Sequence, residues 1–209
     1  MKEEKALLIA QESEEASTML ETIKSVIRAC TFEKLDVDTL AVFDIEYIFC
    51  QLRARSVGEV VEPVFSCTEC NDDKAKVQIP IDLTKLNVKF DPDHVSLIKL
   101  SDSVGVKMNY PGLAMLKKTE DFNAGNVELI FDIIVDSIEY IYDSDTVYAS
   151  KEQSKEDLVQ FIENLTQDQF AKIQSFFETM PKLEQDIKFD CPVCNHHHEL
   201  VIKGLDSFF

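Results

Sequence analysis

Basic charge is the first thing this chain is short of. Lys and Arg together number 21 against 39 Asp and Glu, a formal net charge of −18. Non-specific nucleic-acid affinity comes from clustered cations, so a phosphate backbone is a poor match. The acidity implies a solubilising, self-repelling surface, or complementarity to a basic protein partner. Glycine is scarce too, at five, too few to hide a glycine-rich nucleotide loop. GxxxxGK[ST], HExxH, GxSxG and GxGxxG do not occur. No apolar run approaches the roughly eighteen residues needed to span a bilayer. Met1–Lys5 leads into only Ala6–Ala10 before acidic Gln11–Glu15, which is not the pattern of a signal peptide. These absences predict a soluble, cytosolic protein that is not an enzyme. His94, near Asp91 and Asp93, reads as part of a loop.

What is present suits a folded globular chain: 209 residues, 45% hydrophobic and 29% charged. A single domain, 1–209, is expected, with a helical sub-region at 1–59, a β sub-region at 60–110, mainly helices at 111–181 and a β-hairpin at 182–209. Leu20, Ile23, Ile27 and Cys30 recur at helical spacing. Asp38 is a candidate N-cap for a second stripe of Leu40, Phe43, Tyr47, Ile48 and Leu52, with Gly58 as its stop. Cys30 and Cys50 read as small buried hydrophobes. The period then drops to two. Ala75, Val77, Ile79 and Ile81 alternate with Lys76, Gln78 and Pro80, and Val104, Val106, Met108 and Tyr110 alternate with polar neighbours. After Asn126, a stripe of Val127, Ile130, Phe131, Ile134, Val135 and Ile138 predicts a helix. A hairpin around Asp143-Ser144-Asp145 follows. Ser154 with Asp157, and Thr166 with Gln169, open two further helices, the second of which Pro181 closes.

Six cysteines in a reducing compartment should mostly be thiols. Four of them form two CxxC units in one local context. Val64-Phe65-Ser66 enters Cys67-Thr68-Glu69-Cys70, and a turn leads into the Ala75–Ile81 strand. Ile187–Asp190 enters Cys191-Pro192-Val193-Cys194, and Asn195 turns into His198–Ile202. Strand, CxxC, turn, strand is a zinc knuckle, and two knuckles supply the four thiolates tetrahedral zinc prefers. The expected cofactor is therefore one structural Zn2+ held by Cys67, Cys70, Cys191 and Cys194. Residues 71–190 separate the pairs, far more than in a compact finger, so the ion would tie the C-terminal hairpin to the mid-chain sheet. Competing readings are two disulfides, a thioredoxin-like redox pair (which wants a helix N-terminus) and a site completed by one of His196, His197 and His198. The three histidines otherwise read as mostly exposed strand residues. A zinc-ribbon regulatory or nucleic-acid-binding factor is the functional alternative. Against it, Glu69, Asp72, Asp73, Asp186, Asp190 and Glu199 surround the knuckles with only Lys74, Lys76 and Lys188.

Val42–Phe49, then Leu52-Arg53-Ala54-Arg55-Ser56-Val57-Gly58-Glu59 before the first CxxC, resemble the baseplate protein family of T4-like bacteriophages. Met108–Pro111, the Phe161–Phe177 helices with Phe177–Pro181, Cys191–Cys194 and Gly204–Phe209 are similar to it as well. The resemblance covers most of the chain from about residue 40 and is strongest over Asp44–Gly58. It implies a non-enzymatic tail protein of the baseplate hub, either a hub subunit or an assembly factor (chaperone). Its partners would be other hub and tail proteins, with no nucleic acid and no membrane. Its place would be the host cytoplasm during assembly or the virion baseplate. Arg53 and Arg55 would be interaction residues, or an exposed or internally paired helix face. Phe208-Phe209 would be a core plug or a docking anchor. The expected fold is α+β: helices around a small antiparallel sheet, with the two knuckles forming one zinc-ribbon-like site.

Overall fold

A computed structural model of the chain describes residues 16–70, 72–113 and 127–204. The fold is α+β. Its packing divides into two compact units, one formed by residues 1–89 with 181–209 and the other by residues 90–180. Asn126, the expected start of the third helix, and Phe208-Phe209 lie outside the described residues.

In the first unit, α1 (Ala16–Cys30) buries Ile23, Val26 and Ile27. Cys30 is exposed, contrary to its expected burial. It ends the helix, where the chain turns away from the core: the Phe32 amide reaches Ala29 O (3.3 Å) and the Glu33 amide reaches Arg28 O (2.9 Å). That closure usually places glycine in the left-handed region. In this glycine-poor chain Phe32 and Glu33 take it instead, with φ of 55° and 58°.

Asp38 is not the cap of the next helix. Asp36 caps a 3-10 turn at Val37–Thr39 by accepting from the Asp38 amide. The Asp38 carboxylate pairs with Lys24 (2.7 Å) and with Arg28 on α1. The Lys24 hydrogen bond is the main reason its carboxyl sits below the usual range. The helix α2 (Val42–Ser56) starts behind Ala41, which offers no side-chain cap. Its buried residues are Phe43, Ile45, Phe49, Cys50 and Ala54. Of the expected stripe Phe43 is buried, whereas Leu40, Tyr47, Ile48 and Leu52 are half-buried, so the inner face is rotated. The reason is that α2 meets several neighbours at once: α1, the 3-10 turn Leu83–Lys85 and two strands (below). No narrow stripe is then needed. Cys50 is buried as expected, and burial pushes its thiol up to about 12.

The strands β1 (Val60–Val61) and β4 (Ile81–Asp82) pair antiparallel, as do β2 (Val64–Ser66) and β3 (Lys76–Gln78). They are successive stretches of one ribbon, broken where Pro63 and Pro80 remove ladder donors. The Ile79 amide still reaches Pro63 O at 3.1 Å. A third sheet joins β5 (Val88–Lys89), β10 (Lys182–Asp190) and β11 (His197–Lys203) in the order β11-β10-β5. The strands that α2 meets are β5 and β10.

The second unit holds a four-stranded antiparallel sheet, β6 (Leu97–Lys99), β7 (Gly105–Met108), β8 (Ile138–Tyr142) and β9 (Val147–Ala149), in that order. With it go α3 (Val127–Asp136), α4 (Lys155–Glu163) and α5 (Gln167–Thr179). Ile98, Val106, Met108, Ile134, Ile138, Leu158, Ile162, Ile173 and Phe176 share one core. Ile138 belongs to β8 and not to the preceding helix, although it joins the same core. The expected hairpin is present: the Asp143 carboxylate accepts from the Asp145 and Thr146 amides. Thr166 and Gln169 form a reciprocal capping box, whereas at Ser154 the hydroxyl accepts the Asp157 amide and donates to its carboxylate. Among the described residues there are thus several small antiparallel sheets in place of one.

Candidate metal centre

The first knuckle is shaped by its own backbone. The Cys67 amide donates to Ala75 O and the Ala75 amide to Asp72 O, both at 2.9 Å. Asp72 tightens the turn by accepting the Lys74 amide at 2.8 Å. The second knuckle repeats the plan. The Cys191 amide donates to His196 O (2.9 Å) and the Asn195 amide to Cys191 O (3.0 Å). Asn195 takes the turn's left-handed position at φ 56°, one of the few residue types that tolerate it. In each pair the first cysteine is buried, Cys67 and Cys191, while Cys70 is half-buried and Cys194 exposed.

Both knuckles lie in the first unit and face each other. All four sulfurs lie within 4.8 Å of one another. The shortest approaches cross between the pairs: Cys67 to Cys194 at 3.7 Å and Cys70 to Cys191 at 3.8 Å. Sulfurs placed about 2.3 Å from a tetrahedral zinc are about 3.8 Å apart, whereas a disulfide needs about 2.0 Å. None of the four is disulfide-bonded, and the donor set fits a tetrahedral, thiophilic cation. Neither CxxC sits at a helix N-terminus, which removes the basis for a thioredoxin-like pair. Among the described residues, these four make the single convergent group of three or more His, Cys, Asp or Glu ligand atoms.

The electrostatics point the same way. Cys191 is pulled down to about 7, chiefly by the Cys194 amide and also by the Val193 amide, against the cost of burial. The Asp72 amide favours the Cys70 thiolate, yet burial and hydrogen bonds with the three other thiols push Cys70 up to about 12. Cys194 is raised too: the His196 amide lowers it, but burial and its hydrogen bonds with Cys191 and Cys67 prevail. Without a cation, the Cys191 thiolate is favoured while Cys70 and Cys194 hold their protons; four thiolates together require a positive charge among them.

The histidines divide. His196 and His197 are exposed, and His197 Nδ1 meets Asp190 at 2.7 Å. His198 is buried, contrary to the expectation of exposure, with Nε2 at 3.2 Å from Cys67 Sγ. The signal was parity: His198 lies on the same side of β11 as buried Ile202 and opposite buried Phe189. Elsewhere, Arg53 Nη1 donates to Gly58 O at 2.7 Å and closes the end of α2, while Arg55 is exposed. His94 is in a loop, as expected, but fastened: Nδ1 lies 2.9 Å from Thr179 Oγ1 and Nε2 lies 3.0 Å from Tyr110 OH. Among the described residues, no helix is long and apolar enough to cross a membrane.

Fold and site together define a small acidic α+β protein in which two distant knuckles converge on a four-cysteine centre. The chain belongs to the T4 bacteriophage base plate protein family, whose profile matches residues 1–209. That match extends upstream of residue 40, where the resemblance of individual motifs begins. No curated protein and no solved structure matches the chain. Family membership makes it a phage baseplate-related protein, working among other baseplate proteins.

Proposed function

We propose that this protein is a non-enzymatic component of the baseplate hub, a hub subunit or a hub assembly factor, that acts through protein–protein contacts and is held together by one structural zinc. The supporting observation is the convergence of Cys67, Cys70, Cys191 and Cys194 in a chain matched along its whole length by a baseplate family. A zinc closed by four thiolates keeps no open coordination position, so it serves structure and not catalysis. The ion ties the β2–β3 hairpin, too short to be stable alone, to the β10–β11 hairpin. The net charge of −18 favours basic protein surfaces over nucleic acid as partners.

Native mass spectrometry with metal analysis is expected to find one zinc per chain. Tail proteins are expected to co-purify with the chain from infected cells. Abundant peptides in purified tails identify a hub subunit; peptides confined to the lysate identify an assembly factor. A salt-dependent shift with DNA or RNA, without tail proteins in the purified complex, would overturn the proposal in favour of a zinc-ribbon nucleic-acid binder.

A further inference from the structure

The three consecutive histidines after Cys194 are chemically unlike. The β10–β11 register pairs His197 with Asp190 and His198 with Phe189. Alternation along the strand sends His197 outward, where Asp190 and Glu199 flank it at 2.7 and 3.5 Å. His198 turns inward. Its ring stacks on Phe189 with centroids 4.6 Å apart and planes 17° from parallel, and His196 sits edge-on at 4.7 Å. Phe189 also meets Phe65 of the first knuckle at 6.1 Å. The ring is thus clamped with Nε2 aimed at Cys67 Sγ, 3.2 Å away on the opposite knuckle.

The direction of that contact follows from the metal. A metal-bound thiolate has no proton to give, so the hydrogen must be on the imidazole Nε2. Four thiolates around a divalent cation carry a net charge of −2, and N–H donors that spread this charge keep the sulfurs bound. Backbone amides supply some: Glu69 to Cys67 Sγ at 3.4 Å, and Val193 and Cys194 to Cys191 Sγ at 3.4 and 3.5 Å. Each of these lies within its own knuckle. Among the described residues, His198 is the side-chain donor that crosses from one knuckle to the other.

We infer that His198 is a positioning residue for the metal, donating Nε2–H to the Cys67 thiolate from outside the coordination sphere and so locking the two knuckles around the ion. The inference rests on the zinc reading above. It departs from that reading's own alternative, in which a histidine replaces a cysteine as ligand. Partners of this kind typically change metal retention by roughly tenfold to a hundredfold.

The test uses the full chain, unmodified and as His198→Phe and His198→Gln. Phe keeps an aromatic ring against Phe189 and removes the donor; Gln can restore an N–H. Each protein is loaded with zinc and challenged with a chromophoric chelator, then loaded with cobalt for spectroscopy. His198→Phe should still bind one zinc but hold it roughly tenfold to a hundredfold less tightly. Its sulfur-to-cobalt charge-transfer band should move to lower energy, because a thiolate without the hydrogen bond gives up its electrons more readily. His198→Gln should recover part of both changes. In the unmodified protein loaded with cadmium-113, the His198 Hε2 proton should exchange slowly and show scalar coupling to the metal through sulfur. That measurement stands even if His198→Phe does not fold.

Unchanged zinc retention and an unshifted band in His198→Phe would overturn the inference and leave the zinc reading intact. A cobalt spectrum of three sulfurs and one nitrogen in the unmodified protein, lost in His198→Phe, would also overturn it by making His198 a direct ligand. If the unmodified protein binds no zinc at all, the zinc reading itself fails and this inference with it.

Discussion

Cys191→Ser and Cys194→Ser, compared side by side, separate a metal centre from a cluster of four thiols. The two positions differ sharply as local environments. Cys191 is completely buried and its sulfur accepts two backbone amides, whereas Cys194 is exposed. If the cysteines only pack, the first substitution disturbs a buried, hydrogen-bonded group, at a cost of about 1–3 kcal/mol. The second is a surface change within about 0.5 kcal/mol. A shared zinc equalises them, because losing either ligand forfeits the same ion. With free zinc held a thousandfold above its dissociation constant, that loss is about 4 kcal/mol, or roughly 15 °C in melting temperature for a unit of this size. The assay is urea and thermal unfolding by circular dichroism under reducing conditions in zinc buffer, repeated with chelator. Hydrogen exchange locates the effect. The amides of Cys67, Ala75, Cys191 and Asn195, which hold the knuckle turns, should lose protection on chelation, and the β6–β9 sheet should not. Cys194→Ser with unmodified stability in zinc would refute the metal reading.

Other consequences are independent of the metal. Burial holds the His94 imidazole below its ordinary value, although Asp91 opposes this. The unfolded chain therefore takes up the proton first. The stability from neutral His94 is complete above about pH 6.5 and is lost as pH falls through the lower folded value. Unfolding of the second unit should become easier from about pH 7 to pH 5, less so in His94→Gln; an NMR titration with His94 at or above the ordinary value would contradict this. Thr166→Ala removes half of a reciprocal capping box and should cost about 1 kcal/mol in urea unfolding; no measurable change would show that α5 does not depend on its cap. A methyl group on Gly105 would sit 2.3 Å from Cζ and the hydroxyl oxygen of Tyr142. Gly105→Ala should then cost about 1–3 kcal/mol, much of it recovered with Tyr142→Ala, and additive costs would disprove the clash.

Short-range chemistry can be read directly from neighbouring residues in this chain. Helical period marked Ile23 and Ile27, and two-residue period marked Ala75 and Ile81. The Thr166–Gln169 cap and the Asp143 turn were legible because their hydrogen bonds span only two or three residues. Each CxxC announced its own turn for the same reason. Tertiary structure alone decided which groups meet across long separations. Cys67 approaches Cys194, and Cys70 approaches Cys191, across more than half the chain. Asp38 left its expected capping role because Lys24 and Arg28 arrive from α1. The inner face of α2 turned to Ile45, Phe49, Cys50 and Ala54 because several neighbours surround it. His198 became a donor to Cys67 because Phe189 and the β10–β11 register clamp it there. Local patterns cover a few residues on either side, and none of them encodes which distant surface a side chain will face.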